Sequence, residues 1–156
     1  GCTEDTSAPP HSHAFELQPH AFHLVCPDGH PLLSKKKVTF ADITGHPLIL
    51  PGEGAAVREQ MLKTLVAANA GEAEIAVSSS NFTLLVSYVK MGFGVGILAL
   101  GPQLKKQWKR FSGGGLSIRE ISHLFADERV VLLQRKGGHE LQHVKQFRET
   151  VLKRMQ

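Results

Sequence analysis

The pattern of apolar and polar positions is most regular between residues 47 and 100. Short, nearly continuous apolar runs, which are typical of buried strands, alternate with segments whose apolar residues recur at helical spacing. The predicted strands are residues 47–50, 74–77 and 95–100, and the predicted helices are residues 55–69 and 82–91. Because strands that alternate with helices form parallel sheets through right-handed crossovers, the pattern predicts an α/β domain with helices on the faces of a parallel sheet.

The same spacing rules predict further elements on either side of this region. Thr39 is a candidate N-cap for a short helical turn, since its hydroxyl can accept a hydrogen bond from the first turn. The remaining predicted strands are residues 21–26, 116–121 and 129–134, and the alternation at 116–121 suggests an exposed strand. The remaining predicted helices are residues 38–44, 103–111 and 140–155. The apolar stripe of the helix at 55–69 is predicted to contain Val57, Met61, Leu62, Leu65 and Val66.

A candidate ligand site follows from this arrangement. Ligands on parallel sheets bind beyond the carboxyl ends of the strands, which here are residues 51–54, 78–81 and 99–101. Asn81 is a good N-cap for the helix that follows, and the remaining free N–H groups with the hydroxyls of residues 78–80 would favour an anion. Helix capping explains these polar residues equally well, so both interpretations stay open.

Charge is distributed unevenly along the 156 residues. The last 56 residues hold 12 Lys/Arg against 5 Asp/Glu and carry +7, whereas the first 100 carry −3. Lys105, Lys106, Lys109 and Arg110 surround Trp108, as in some nucleic-acid patches, but a solvated helix with one anchoring Trp is the favoured interpretation. No apolar run reaches membrane length, no signal peptide is visible and two cysteines make no disulfide framework, so we expect a cytoplasmic protein.

Catalytic and metal sites are not expected. The nine histidines are scattered, and neither His11-x-His13 nor His20-x-x-His23 has a further ligand at a recognised interval. His139, Glu140 and His143 match the zinc-protease pattern H-E-x-x-H. Because they directly follow two glycines and no third ligand comes downstream, coincidence is favoured over an enzyme. We expect no catalytic residue, no bound metal and no cofactor.

Four segments, taken in order, give the chain a family resemblance. From about residue 20 to the C-terminus it resembles the effector-binding region of LysR-type transcriptional regulators. The segments are FHLVCPDGHPL, VTFADITGHPLILPGEG, NFTLLVSYVKMGFGVGILA and VVLLQRKGG. Two positions depart from the family pattern, which usually has Pro where this chain has Ala99 and Ser or a similar residue where it has Asn81.

The resemblance implies a periplasmic-binding-protein-like (type 2) fold of two lobes with a Rossmann-like parallel sheet, lobe II being complete and lobe I partial. Residues 1–32 would be a lobe I remnant with a polar tail, residues 33–125 the effector-binding lobe II, and residues 126–156 a return strand and C-terminal helix on lobe I. The family's DNA-binding helix-turn-helix and the first half of lobe I would be absent. Apolar surface on residues 130–133 and on the last helix would then lack partners, so we expect self-association.

In that family a small effector binds between the lobes and changes how the oligomer holds promoter DNA. The resemblance therefore implies a ligand-sensing regulatory domain that binds a small anionic effector and contacts no membrane. The ligand residues carried over are Gly52, Glu53, Ser79, Ser80, Asn81, Phe82, Ala99 and Gly101. The helix at 82–91 would take part in a homodimer or homotetramer, and promoter DNA would be bound only through the absent helix-turn-helix. The alternative is a solute-binding protein of a transport system, which shares the two-lobed architecture.

Overall fold

A computed structural model describes residues 11–17, 20–125, 131–135 and 141–155, and these fall into two compact units. The larger unit contains residues 21–125, and the smaller unit combines the described residues before 21 with those after 130. The strands are β1 (Ser12–Glu16), β2 (Ala21–Pro27), β3 (Leu48–Pro51), β4 (Ile75–Ser79), β5 (Val95–Leu100), β6 (Leu116–Glu120) and β7 (Val131–Arg135). The helices are α1 (Pro31–Ser34), α2 (Phe40–Thr44), α3 (Ala56–Ala67), α4 (Phe82–Lys90), α5 (Pro102–Lys106), α6 (Trp108–Ser112) and α7 (Gln142–Met155), with a 3-10 turn at Ser122–Leu124.

The larger unit is built on a five-stranded mixed sheet with the order β4-β3-β5-β2-β6. β3 pairs in parallel with β4 and β5, which confirms the parallel arrangement predicted for the central strands. β2 runs antiparallel to both β5 and β6. This compact unit begins at residue 21, and the assignment of the three predicted segments to lobes stays a prediction.

Both faces of this sheet are covered by apolar side chains. Leu48 and Leu50 of β3 belong to one buried cluster, whereas Ile49 belongs to the other. On β5, Ile97 and Leu98 divide in the same way. Because neighbouring side chains of a strand point to opposite faces, a strand buried on both sides has a continuous apolar sequence. This explains why β3 and β5 were recognisable from the sequence.

Capping residues set the limits of two helices as predicted. The Thr39 hydroxyl accepts a hydrogen bond from the N–H of Asp42, whose carboxylate in turn accepts one from the N–H of Thr39, completing a capping box at α2. Hydrogen bonds from Lys35 and Thr39 lower the pKa of Asp42 to about 2. Asn81 caps α4 through its side-chain oxygen.

The glycines after α4 allow close backbone approach. Gly94 has φ +157°, and a Cβ at this position would lie 2.2 Å from the carbonyl oxygen of Pro47. A Cβ on Gly96 would lie 2.9 Å from Cγ2 of Val89 on α4. Gly94 therefore allows close approach to the backbone just before β3, and Gly96 allows close packing against the helix α4.

Three expectations need correction. Val66 was predicted in the apolar stripe of α3 but is 82% exposed, whereas Met61 and Leu65 are buried. The single helix predicted at 103–111 is two short helices divided at Gln107. The strand predicted to be exposed, β6, has Leu116 buried against the core. The first residues of the predicted elements at 129–134 and 140–155 lie outside the described residues.

Arg119 joins β6 to α1. Its guanidinium donates hydrogen bonds of 3.0 Å to the carbonyl oxygens of Leu32, Leu33 and Lys36. These carbonyl groups lie at the end of α1, where intrahelical donors are lacking and a cation is favourable. One side chain therefore satisfies the end of a helix that is too short to be stable alone.

Two buried titratable groups lie on β2. His23 has a side chain only 1% exposed; its Nδ1 lies 2.7 Å from the Ala21 carbonyl oxygen, and its Nε2 lies 3.9 Å from a Glu120 carboxylate oxygen. Burial lowers the pKa of His23 below its ordinary value. Burial also raises the pKa of the free Cys26 thiol to about 12.

The smaller unit contains the antiparallel pair β1–β7 and the helix α7. Arg148 of α7 donates a 2.6 Å hydrogen bond to the side-chain oxygen of Gln134, and its guanidinium lies 5.4 Å from the ring centre of Phe15. Several large apolar side chains of this unit remain exposed. They are Leu133, Leu141, Val144 and Phe147.

Candidate functional site

The sheet of the larger unit brings two turns together at one end. β3 and β4 are parallel neighbours with Pro51 opposite Ser79. The N–H group of Gly52 donates a 3.0 Å hydrogen bond to the carbonyl oxygen of Ser79. The turn from β3 into α3 and the turn from β4 into α4 therefore lie side by side, as expected for the carboxyl ends of parallel strands.

Contact between these turns requires a glycine at position 52. A Cβ on Gly52 would lie 2.6 Å from the Ser80 hydroxyl oxygen and 3.3 Å from the Ser80 backbone nitrogen. Gly54, two residues later, has φ +79°, a left-handed conformation that L side chains rarely adopt. The sequence Gly-Glu-Gly is thus explained by local geometry before any ligand is considered.

A cavity of about 340 Å³ lies between the two turns. Its lining is formed by Pro51, Gly52, Glu53, Gly54, Ala55, Ser79, Ser80, Phe82 and Leu85. Its volume falls at the small end of the range found for ligand pockets in proteins. Five of the eight predicted ligand residues are in this lining, namely Gly52, Glu53, Ser79, Ser80 and Phe82.

Some of the polar groups beside the cavity already form hydrogen bonds within the protein. The side-chain oxygen of Asn81 accepts a 3.1 Å hydrogen bond from the N–H of Leu84. The Ser79 hydroxyl oxygen accepts one of 3.1 Å from the N–H of Asn81, which leaves its own proton free to be donated. Within the described part of the chain, the N–H groups of Phe82 and Thr83 have no acceptor. The site therefore retains hydrogen-bond donors.

Three predicted ligand residues lie outside the cavity lining. The side chain of Asn81 is used as the helix cap. Ala99 is paired with Phe22 across β5 and β2, and Gly101 is the N-cap of α5. β5 pairs with β3 only near its start, at Val95 and Gly96, whereas the ends of β3 and β4 stay paired and their turns meet. A ligand-binding role for any of the eight residues stays a prediction.

Sequence reasoning missed two contributions to this region. Leu85 lines the cavity and follows Phe82 by three residues, so helical spacing contained the signal. Arg58 places a guanidinium nitrogen 3.5 Å from the carbonyl oxygen of Pro51, and it adds a cation beside the turn that holds Glu53. The sequence signal that could have identified Arg58 is its position in the first turn of α3, just after the Gly-Glu-Gly turn.

Two negative findings concern the described residues alone. Across these ranges there is no group of three or more His, Cys, Asp or Glu side chains placed to hold a metal ion. The candidate zinc pattern is not tested by this finding, because His139 and Glu140 lie outside the described residues. Within the same part of the chain, no helix has both the length and the apolar character needed to cross a membrane.

Comparison with known protein families finds a match that covers almost the whole chain. The family model for the LysR substrate binding domain matches residues 2–156. The chain belongs to this family. Its predicted membership, and with it the α/β fold of the periplasmic-binding-protein-like type, is confirmed. The match favours the regulator prediction over the transport alternative.

A curated relative of this LysR substrate-binding domain is a transcriptional regulator. The chain is 27% identical over 118 residues to the HTH-type transcriptional regulator CysB of Burkholderia cenocepacia, a match that covers 74% of this chain and 35% of that protein. The chain thus spans about a third of the curated relative that it matches.

Two solved structures share the fold at low sequence identity. The regulatory domain of CcmR from Synechocystis PCC6803, in complex with 2-PG, has a TM-score of 0.75 at 12% identity, covering 100% of this chain and 72% of that one. The effector-binding domain of QuiR, in complex with shikimate, has a TM-score of 0.73 at 15% identity, covering 97% of this chain and 68% of that one.

Proposed function

We propose that this LysR substrate-binding domain is the ligand-sensing part of a transcriptional regulator and that its cavity binds a small anionic effector. The observation that carries the proposal is the meeting of the two turns, which surrounds a 340 Å³ cavity with unused hydrogen-bond donors. The donors are the hydroxyl of Ser79, the hydroxyl of Ser80 and the first N–H groups of α4. A helix N-terminus with its free N–H groups favours a negative charge.

The charges around the cavity favour a ligand with low negative charge. Glu53 lies in the lining and is exposed, so it would repel a multiply charged anion. Arg58 donates a hydrogen bond to the carbonyl oxygen of Pro51 in the same turn, so a positive charge also lies near the cavity. A singly charged carboxylate or oxyanion fits this balance best.

The named structural relatives support a small ligand in general terms. CcmR was solved with 2-PG and QuiR with shikimate, so regulators of this fold hold small molecules. Identity to both is low, and neither ligand is assigned to this chain.

The experiment is calorimetric titration of the chain with inorganic sulfate, inorganic phosphate and small mono- and dicarboxylates. The variant Ser80→Ala removes a donor from the cavity, and we expect it to weaken binding of the best anion by about ten-fold, the value of one hydrogen bond to a charged group. Gly52→Ala places a methyl group against Ser80 and should weaken binding at least as much.

Ser78→Ala is the matched control. Ser78 is exposed, lies two residues before Ser80 and is absent from the cavity lining. If Ser78→Ala and Ser80→Ala weaken anion binding equally, the ligand lies elsewhere and this site is refuted. The same conclusion follows if neither Ser80→Ala nor Gly52→Ala weakens binding.

Other features of the proposed regulator follow from the family rather than from the cavity. We propose that it acts without catalysis, in the cytoplasm, as a homodimer or homotetramer, and that the complete protein binds promoter DNA. The exposed apolar side chains on and after α4 support a contact between copies there. They are Leu84, Met91 and Phe93, which are 45%, 69% and 53% exposed. Multi-angle light scattering compares the molar mass of the Leu84→Glu variant with that of the unchanged chain. If the two masses are the same, α4 is excluded as the interface.

A further inference from the structure

One long stretch of the larger unit contains no carboxylate side chain. Between Glu74 and Glu120 the sequence has no Asp or Glu, while it has six cations. They are Lys90, Lys105, Lys106, Lys109, Arg110 and Arg119. Within the larger unit, the excess of positive charge is thus concentrated in the elements from α4 to β6.

The packing of α5 and α6 presents most of these cations to solvent. Trp108 and Ser112 are buried and Leu104 is half-buried, so every fourth residue points inward. The indole N–H of Trp108 donates a 3.0 Å buried hydrogen bond to the carbonyl oxygen of Leu116, which fixes the orientation of α6. The cations on the other faces of α5 and α6 therefore point to solvent. They are Lys105, Lys106, Lys109 and Arg110, all exposed.

Lys90 extends this surface from the end of α4. Its ammonium nitrogen lies 3.8 Å from the position that a Cβ of Gly113 would occupy, and its Cε lies 3.7 Å from the equivalent position at Gly115. The glycine turn that ends α6 thus lies directly beside Lys90.

Two of the six cations are already used within the protein. Lys105 forms a 2.7 Å ion pair with Glu120, and Arg119 binds the carbonyl groups at the end of α1. No ion pair of Lys90, Lys106, Lys109 or Arg110 occurs within the described part of the chain. These four residues form what we term the basic surface.

An exposed aromatic side chain lies in the same segment as the basic surface. Phe111 is 40% exposed, and its ring centre lies 6.1 Å from Trp108 and 5.2 Å from Phe82. Basic side chains interleaved with aromatic ones are typical of surfaces that contact nucleic acids. The contact with Phe82 places Phe111 next to the cavity wall.

We propose that the basic surface docks on the phosphate backbone of double-stranded DNA. It presents a group of exposed cations free of ion pairs among the described residues, which suits a polyanion that carries about one charge per 1.7 Å of duplex axis. The chain belongs to a family with transcriptional regulators among its members, so duplex DNA is the polyanion this surface meets. The proposal departs from the expectation that DNA is contacted only by a helix-turn-helix, and it does not depend on what the cavity binds.

The test is fluorescence anisotropy with a labelled DNA duplex of about 20 base pairs and arbitrary sequence, between about 50 and 200 mM salt. We expect the triple variant Lys106→Gln, Lys109→Gln, Arg110→Gln to bind on the order of ten-fold more weakly at the lowest salt. The slope of log affinity against log salt should fall by roughly 2 to 3, about one for each phosphate that the variant no longer neutralises.

A matched control removes the same charge elsewhere. Lys36→Gln, Lys37→Gln, Lys63→Gln changes three exposed lysines outside the basic surface and should leave the affinity and the slope within about two-fold of the unchanged chain. Equal losses in both triple variants would show a net-charge effect and overturn the proposal, as would no loss in either. Binding to polyglutamate but not to DNA would also overturn it, in favour of an acidic protein partner. Circular dichroism of both variants establishes that neither result reflects unfolding.

Discussion

The two units of this chain differ in how they bury similar apolar patterns. In the larger unit the sheet is covered on both faces, and strands such as β3 and β5 are almost wholly buried. In the smaller unit Leu141, Val144 and Phe147 of the last segment are 55%, 39% and 62% exposed. An apolar stripe therefore predicts where a helix forms, but burial depends on whether a partner surface is present.

The comparison predicts where substitutions will be most destabilising. In the larger unit, close contacts and buried side chains should make single changes strongly destabilising, whereas in the smaller unit the same chemistry should have little effect. Trp108, the single tryptophan, lies in the larger unit, so its fluorescence reports the unfolding of that unit.

The largest effect is expected from Gly94→Ala. The added Cβ would overlap the carbonyl oxygen of Pro47, which accepts a 2.9 Å hydrogen bond from the N–H of Val95. We expect a loss of about 3–5 kcal/mol in the free energy of unfolding, or failure to fold. In contrast, Gly71→Ala adds a Cβ in open space at φ +82° and should cost about 1 kcal/mol. Similar midpoints for the two variants in urea would disprove the close contact.

A direct test of the contrast pairs Met61→Ala in the larger unit with Phe147→Ala in the smaller one. Met61 is fully buried, so its truncation should cost about 2–5 kcal/mol. Phe147 is 62% exposed, and its truncation should change stability by about 0.5 kcal/mol or less. Urea unfolding followed by far-ultraviolet circular dichroism measures both units. A cost for Phe147→Ala near that of Met61→Ala would show that the smaller unit has a covered apolar face after all.

Arg119→Ala should have an intermediate effect. Three carbonyl groups at the end of α1 lose a charged donor, and we expect a loss of about 1–3 kcal/mol in denaturant unfolding. Arg110→Ala, at an exposed position, is the control and should stay within about 0.5 kcal/mol of the unchanged chain. If the two variants unfold at the same urea concentration, the end of α1 is held by other contacts.

The smallest effect concerns pH. Since burial lowers the pKa of His23 in the folded state, the unfolded chain binds this proton more readily. The larger unit should therefore be more stable at about pH 7.5 than at about pH 5.5, with the loss beginning as the pH falls through the unfolded value near 6.5. His23→Gln should flatten this dependence, whereas exposed His143→Gln should leave it unchanged. An undiminished pH dependence in His23→Gln would assign the effect to another group.

Local signals in the sequence were sufficient for two of the buried strands and for the starts of two helices. The continuous apolar runs located β3 and β5, and the caps Thr39 and Asn81 fixed the starts of α2 and α4. These features depend on residues close together in the chain, which is why a single sequence contained them.

Long-range pairing was beyond those signals. Nothing local to residues 21–27 indicates that β2 runs antiparallel between β5 and β6. The pairing of β5 with β3 ends at Gly96, while Ala99 pairs with β2, and Ala99 and Gly101 lie outside the cavity lining. No local pattern indicated where the pairing between β3 and β5 ends. Val66 shows the same limit on α3, because the width of a buried stripe is set by what the helix packs against.

Because Cys26 is buried, the rate at which its thiol reacts can report local opening of the larger unit. Only a thiolate reacts with alkylating reagents, and the fully buried Cys26 thiol, with a pKa of about 12, is both protonated and shielded. In a Cys2→Ser background, the rate at which iodoacetamide labels Cys26 therefore measures how often β2 separates from its neighbours. A ligand that binds the folded unit would slow that labelling, so candidate ligands can be screened by mass spectrometry.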